Sequence, residues 1–249
     1  MKKTLLPSLA ITAAIALLFA GCKKADVTAT SAQLSFAMAT DNPLTTIAAA
    51  NTGAPGSGMT VFATTGQSIA WTTATANISQ FKFEAKKDGT PIEILSSGLL
   101  NVDLLAPLPT TINTTIANGK YTNVEVRVVL AKQTGTGALP FVLKGTYTTS
   151  GGTKTVPVEF DFNDDLELKA AANDITIDGK SDLLAKLSLH LSQLFSNITA
   201  QEIDQTTRTT INGVSTILIT NAINITQYNK IKADLLLAAG SNFATTPNK

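Results

Sequence analysis

The sequence predicts a mainly β protein, an antiparallel β-sandwich over residues 33–180 with a small helical extension over residues 181–249 packed on it. Three observations carry that expectation. Threonine occurs 38 times and charged residues make up only 15% of the chain, and β-branched side chains fit a pleated surface better than a helix. Several runs alternate apolar and polar residues with a period of two, the pattern of strands with one dry and one wet face. Asp-Gly and Gly-Gly pairs separate some of those runs, and such pairs favour the tight turns of hairpins.

Ahead of the sandwich, Lys2 and Lys3 precede an apolar run from Leu9 to Ala20 that leads through Gly21 to Cys22. A charged start, an apolar middle and small residues before a cut site are the parts of a secretory signal. The run is shorter than the ~20 residues of a membrane-spanning helix. Leu18-Phe19-Ala20-Gly21-Cys22 resembles the lipobox of bacterial lipoproteins, with Phe19 standing where leucine is usual. The resemblance implies removal of residues 1–21 and lipidation of Cys22 with acyl chains such as palmitate. Several chains, at ~0.8 kcal/mol per buried methylene, make a durable membrane anchor. Residues 22–32 would then be a tether. The implied location is the cell envelope, with the outer membrane expected and the periplasmic or surface face left open.

Cleavage would remove Lys2 and Lys3 from the 19 basic side chains and leave 17 against 18 acidic ones, a net charge of −1. That near-neutrality argues against a nucleic-acid partner, which requires lysine and arginine gathered into a stripe. Cys22 is the only cysteine, so an intrachain disulfide and a paired-thiolate metal site are both excluded.

Along the body, Leu34 to Met38 and Met59 to Ala63 read as strands on either side of a Gly/Pro/Ser/Asn loop at residues 51–58. Ser68 to Thr73 follows, with Trp71 expected as a core or rim anchor. Phe81, Phe83 and Ala85 alternate with polar neighbours up to Asp88-Gly89, and Pro91 to Leu95 returns as the second arm of a hairpin. Asn101 to Leu105 is another strand, and residues 107–115 read as a Thr-rich loop. Val124, Val126, Val128 and Leu130 share one face of a long strand whose other face holds Glu125 and Arg127. Leu139 to Tyr147 and Val156 to Phe162 form a second hairpin about Ser150-Gly151-Gly152, with Pro157 confined to an edge or a non-bonding position. Leu166 to Ala170 and Ile175 to Ile177 complete the sheet residues. Beyond Asp178-Gly179 the period changes. Leu183, Leu184, Leu187, Leu191, Leu194 and Phe195 behind Ser181 predict a helix capped by that serine. A second helix is expected from Thr226 to Gly240, with Tyr228, Ile231, Leu235 and Leu236 on one face, and Val214 to Ile219 is an added strand between them.

Asn77-Ile78-Ser79 before Phe81, Val102-Asp103-Leu104-Leu105, Gly119-Lys120-Tyr121 with Val124, and Val156-Pro157-Val158-Glu159-Phe160 occur in one order. Ile217-Leu218-Ile219-Thr220-Asn221 and Tyr228-Asn229-Lys230-Ile231 follow them. Together they resemble an uncharacterised family of bacterial lipoproteins whose domain has no assigned function. The resemblance covers about residues 31–243 and implies a prealbumin-like or immunoglobulin-like sandwich and an envelope location. It brings no catalytic residue.

Little in the chain points to chemistry. His190 is the only histidine, and beside the leucines of the expected helix it reads as a surface or interface residue rather than a catalytic base. Gly56-Ser57-Gly58 lacks the spacing of a nucleophile elbow. One histidine and one lipidated cysteine do not build a zinc site. Glu159, Asp161, Asp164, Asp165 and Glu167 gather near one turn, and calcium takes such oxygen ligands, yet the spacing is not that of an EF-hand and no metal site or cofactor is assigned. The expected function is therefore a non-enzymatic one. It is that of a membrane-anchored envelope lipoprotein that binds or scaffolds, with an envelope protein or a glycan as its partner. The alternatives are an adhesin or pilus-associated subunit that assembles by strand exchange and a carboxylate-based glycoside hydrolase.

Overall fold

The structure, a computed structural model, describes residues 30–48, 67–149, 152 and 154–247. Cys22, the expected tether up to residue 29, the expected strand from Met59 to Ala63 and the Gly56-Ser57-Gly58 loop lie outside them. The described residues form a mainly β sandwich of two mixed sheets, with 14 strands and two α-helices.

One strand organises the larger sheet. β3 runs from Gln67 to Lys87, 21 residues without a break, which merges the two strands expected at Ser68 to Thr73 and Ser79 to Ala85. On one edge it pairs with β2 (Leu44–Ile47) and then β4 (Thr90–Asp103). On the other edge its C-terminal half pairs with β6 (Gly119–Leu130) and its N-terminal half with β7 (Phe141–Thr148). β6 and β7 are thus two pieces of one long antiparallel run, parted by an excursion at residues 131–140.

The next run repeats the device. β8 (Thr155–Phe162) pairs with β7, β9 (Leu166–Ala172) pairs with β6, and β10 (Ile175–Ile177) continues alongside the start of β6. Register shifts in β3 between Trp71 and Thr73, Ala76 and Ile78, and Glu84 and Lys86 mark bulges, which bend and twist a strand. At the second of these a Cβ on Gly98 of β4 would sit 1.8 Å from the Ile78 carbonyl oxygen, so only glycine fits.

The smaller sheet has the order β14 (Ala239–Pro247), β11 (Ser181–Leu189), β1 (Ser31–Thr40), β5 (Thr111–Ala117). It covers the half of the large sheet built from the C-terminal part of β3, β6 and β9. Phe36 stacks on Phe81 at 5.5 Å, and Phe83 meets Phe243 edge-on at 6.2 Å. The other half of the large sheet is covered by helices instead. A 3-10 turn (Leu191–Gln193), α1 (Ala200–Asp204) and α2 (Ile225–Leu237) bring Phe195 against Trp71 and Tyr228 against Phe160 and Phe162. β13 (Val214–Ile219) extends this half as a parallel neighbour of β8, and β12 (Arg208–Ile211) lies at the sheet edge. Pro157 falls just outside the β13 ladder, which starts at Val158, as a residue without an amide proton requires.

Several expectations are corrected by the strand pairing and the helix bounds. Residues 181–189 are a strand, not the start of a helix, and β11 sits between β1 and β14 with a parallel ladder to β1. The spacing of four between Leu183, Leu187 and Leu191 suits a helical turn and also an even-numbered step along a strand, and Ala185 and Leu189 complete the dry face of the strand. Ser181 therefore opens a strand instead of capping a helix. The second sheet of the sandwich draws two of its four strands, β11 and β14, from beyond residue 180.

The expected loop at residues 107–115 contains most of β5, whose Ile112 and Ile116 face the core side opposite Phe36 and Ala32. The second helix stands where expected but ends at Leu237, and Leu236 is 51% exposed, since 100° per residue places it well off the stripe of Tyr228, Ile231 and Leu235. The sheets are also mixed, with parallel pairs β1–β11 and β8–β13 among antiparallel ones.

Burial separates two leucines that stand three residues apart in β11. Leu187 is fully buried and Leu184 faces outward, half-buried. Leu187→Ala is expected to lower stability by about 3 kcal/mol and Leu184→Ala by less than about 1 kcal/mol, read as the shift of the urea midpoint at constant slope. Equal losses would contradict the strand.

Candidate functional site

The residues singled out by sequence do not converge on one place. The acidic segment is dispersed by strand alternation and by the turn at residues 163–165. Asp164 accepts from Tyr228 Oη at 2.8 Å and from Lys232 Nζ at 2.6 Å, which locks α2 onto the turn between β8 and β9. Burial pushes its carboxyl up, but Lys232 and Tyr228 outweigh that and hold it below the ordinary carboxylate value. Asp165 accepts from the Lys132 amide, and Glu167 from Arg127 and Lys82. Among the described residues no group of three or more His, Cys, Asp or Glu side chains is arranged to hold a metal ion.

Glu159 and Asp161 remain together, two residues apart on the outward face of β8. Lys144 on the neighbouring β7 reaches Glu159 at 2.7 Å. Asp161 Oδ1 is buried with no hydrogen-bond donor. Burial first, then the negative charge of Glu159 beside it, push the Asp161 carboxyl up to about 6, against a smaller opposing pull from Lys144. Two adjacent carboxylates supply only acceptors, and a proton on one of them makes it a donor to the other. Below about pH 6 the pair therefore holds a proton. Both acids stand on one strand rather than on opposite walls of a cleft.

His190 follows the last residue of β11 and is not on a helix. Its Nδ1 contacts the Asp41 carboxylate, and its Nε2 faces Gly240, where a Cβ would come within 2.9 Å. With one nitrogen on an acid and the other against backbone, the ring joins the ends of β1, β11 and β14. Gly240 serves that contact and does not cap α2. Trp71 is a core anchor, as expected: its Nε1 donates to Thr45 Oγ1 at 2.9 Å, and Thr45 donates to the Leu191 carbonyl at 2.8 Å.

Sequence reasoning missed two polar centres. Arg127 on β6 donates to Glu84 on β3 at 2.7 Å, to Glu167 on β9 at 2.6 Å, and to Glu125. Its signal was the polar half of each alternating run, read one strand at a time. Asp234 is 1% exposed on α2 and accepts from Asn197 Nδ2 at 2.6 Å and Ser196 Oγ at 3.3 Å. An acid one turn from Ile231, inside an apolar stripe, was its signal.

The two ends of the small sheet differ. Ser31 lies at one end, where the Asn118 amide donates to the Thr30 carbonyl and the turns at Asp88-Gly89, Asn118-Gly119 and Asp178-Gly179 meet. The opposite end holds the His190–Asp41 contact and a pocket of about 270 Å³ lined by Asp41, Asn42, Pro43, Leu105, Pro107 and Lys186. Leu44 and Leu108 project there, 46% and 84% exposed, and Leu237 at the end of α2 is 76% exposed. Comparison with known family models, with curated proteins and with solved structures finds no match to this chain.

The raised Asp161 carboxyl makes stability depend on pH. An acid whose pKa is higher in the folded than in the unfolded chain binds more protons when folded. Its stabilisation is complete below the ordinary value of 3.8 and is lost as pH rises past about 6. Asp161→Asn is expected to flatten the decline in the urea midpoint between about pH 4 and pH 6.5; an unchanged slope in the variant would show that the proton sits elsewhere.

Proposed function

We propose that this chain is a lipid-anchored protein of the bacterial envelope, tethered through Cys22, whose sandwich acts by binding and not by catalysis. The single observation that carries the reading is geometric. β1 starts at Ser31, nine residues after Cys22, at the end of the sandwich opposite Leu44, Leu108 and the Asp41–His190 contact. A lipid on Cys22 would hold the Ser31 end toward the bilayer and leave the other end free for a partner.

Other observations agree with that reading. Exposed leucines beside a small polar pocket are the makings of a contact surface. The strongest charged groups on the large sheet are committed to one another, and Glu159 and Asp161 lie side by side on one strand. No helix among the described residues is long and apolar enough to cross a membrane, and this reading assigns attachment to the lipid. The partner we propose is an envelope protein or a glycan at the Leu44–Leu108 end.

Mass spectrometry of the mature N-terminus tests the anchor directly, and an acylated Cys22 as the first residue is the expected result. Cys22→Ala should move the protein from the membrane fraction to the soluble one, while retention of the variant in the membrane would overturn the proposal.

A further inference from the structure

The Ser31 end carries four lysines beside three turns. Lys86 and Lys87 lead into Asp88-Gly89, Lys120 follows Asn118-Gly119, and Lys180 follows Asp178-Gly179. These segments are joined in space. The Asp88 amide donates to the Lys120 carbonyl at 2.9 Å, Ile177 pairs with Gly119, and the Lys87 side chain lies over Gly119, where a Cβ would stand 2.6 Å from its Cε. Thr30, the first described residue, is bonded to Asn118 in the middle of the group.

The acids named at this end accept from backbone amides rather than from lysine side chains, although Asp88 and Asp178 are themselves exposed. Asp88 accepts from the Lys120 amide at 3.3 Å, Asp178 from the Lys180 amide at 3.0 Å, and Asp182 from the Gln33 amide at 2.9 Å. All the ion pairs of the described residues lie elsewhere, so none of the four ammonium groups has a carboxylate within 4.0 Å among them. Lys86, Lys120 and Lys180 are exposed and Lys87 is half-buried.

Resting on the anchor proposed above, we infer that this end is a membrane-facing surface on which Lys86, Lys87, Lys120 and Lys180 contact the anionic headgroups of a lipid bilayer. The reach of the chain carries the argument. Ser31 stands nine positions after Cys22, and even fully extended that stretch spans about 30 Å. A slack chain of that length spans on the order of 15 Å, which brings the lysines near the ~8–10 Å over which a charged surface acts at physiological salt. Free lysines attract anionic headgroups, and the contact would fix the orientation of the body as well as its distance.

The test uses the mature lipidated protein inserted into vesicles of phosphatidylcholine alone or of phosphatidylcholine with phosphatidylglycerol. Amine acylation of each lysine is read by peptide mass spectrometry. In the anionic vesicles Lys86, Lys87, Lys120 and Lys180 should react at least about threefold more slowly than in neutral ones, and high salt should restore their rates. Lys132, Lys154 and Lys169 should react alike in both. Equal rates for the four lysines in the two vesicles, or protection of the second set instead, would overturn the inference while leaving the anchor intact. Equal protection by inorganic phosphate without vesicles would overturn it too, since the surface would then bind free anions. Retention in neither vesicle would overturn the anchor, and this inference with it.

Discussion

The apolar face of β3 is longer than any single partner layer, and the rest of the molecule follows from covering it. At about 3.3 Å per residue a strand of this length extends for roughly 70 Å, several times the usual strand. Its neighbours break into shorter pieces at the same level, at residues 131–140 and 163–165, and each half finds its own cover. The β1–β11–β14 side of the small sheet closes one half with Phe36, Leu187 and Phe243, and α2 with the 3-10 turn closes the other with Tyr228 and Phe195. Trp71 and Thr45 stand near the seam between the covers, bonded to each other and to Leu191. Because the chain leaves β11 directly into the 3-10 turn and passes from α2 into β14, the helical cover and two strands of the small sheet are one continuous segment.

Charge is handled in the same layered way. The outward face of the large sheet gathers Lys82, Glu84, Glu125, Arg127 and Glu167 into mutual contact. Individual surface pairs of this kind contribute little, and networks contribute more. Here their value is also one of register, since Arg127 reaches acids on the strands at either side and a slipped ladder would strand it. Asp164 does the equivalent for α2, and Asp234 for the segment after the 3-10 turn. Glu159 and Asp161 depart from the pattern because two acids share one lysine.

Strands with one wet and one dry face were legible in the sequence. Val124 to Leu130, Phe141 to Tyr147 and Val156 to Phe162 alternate cleanly, and all lie where the pattern puts them. β13 has the bounds read from Val214 to Ile219. β11 was misread because a leucine every fourth residue satisfies two periods at once, and only Ala185 and Leu189 break the tie. β5, β12 and β14 carry too few apolar side chains to stand out against a threonine-rich background. Two local signals were present for what was missed. Asn212-Gly213, with positive φ at both residues, makes the hairpin that delivers β12, and Thr199 with Glu202 forms the capping box that starts α1. The charged centres were harder to read because Arg127 and Glu84 are 43 positions apart, and a contact across strands leaves no linear pattern.

The position of β1 has a mechanical consequence. β1 lies inside the small sheet, with an antiparallel ladder to β5 on one side and a parallel ladder to β11 on the other. A pull applied at Ser31 and directed away from the body runs along the strand axis. Both rows of hydrogen bonds are then loaded in shear, and they resist together, whereas a strand pulled from its side would unzip one bond at a time. Any load carried at Ser31 would therefore meet the resistance of two ladders at once.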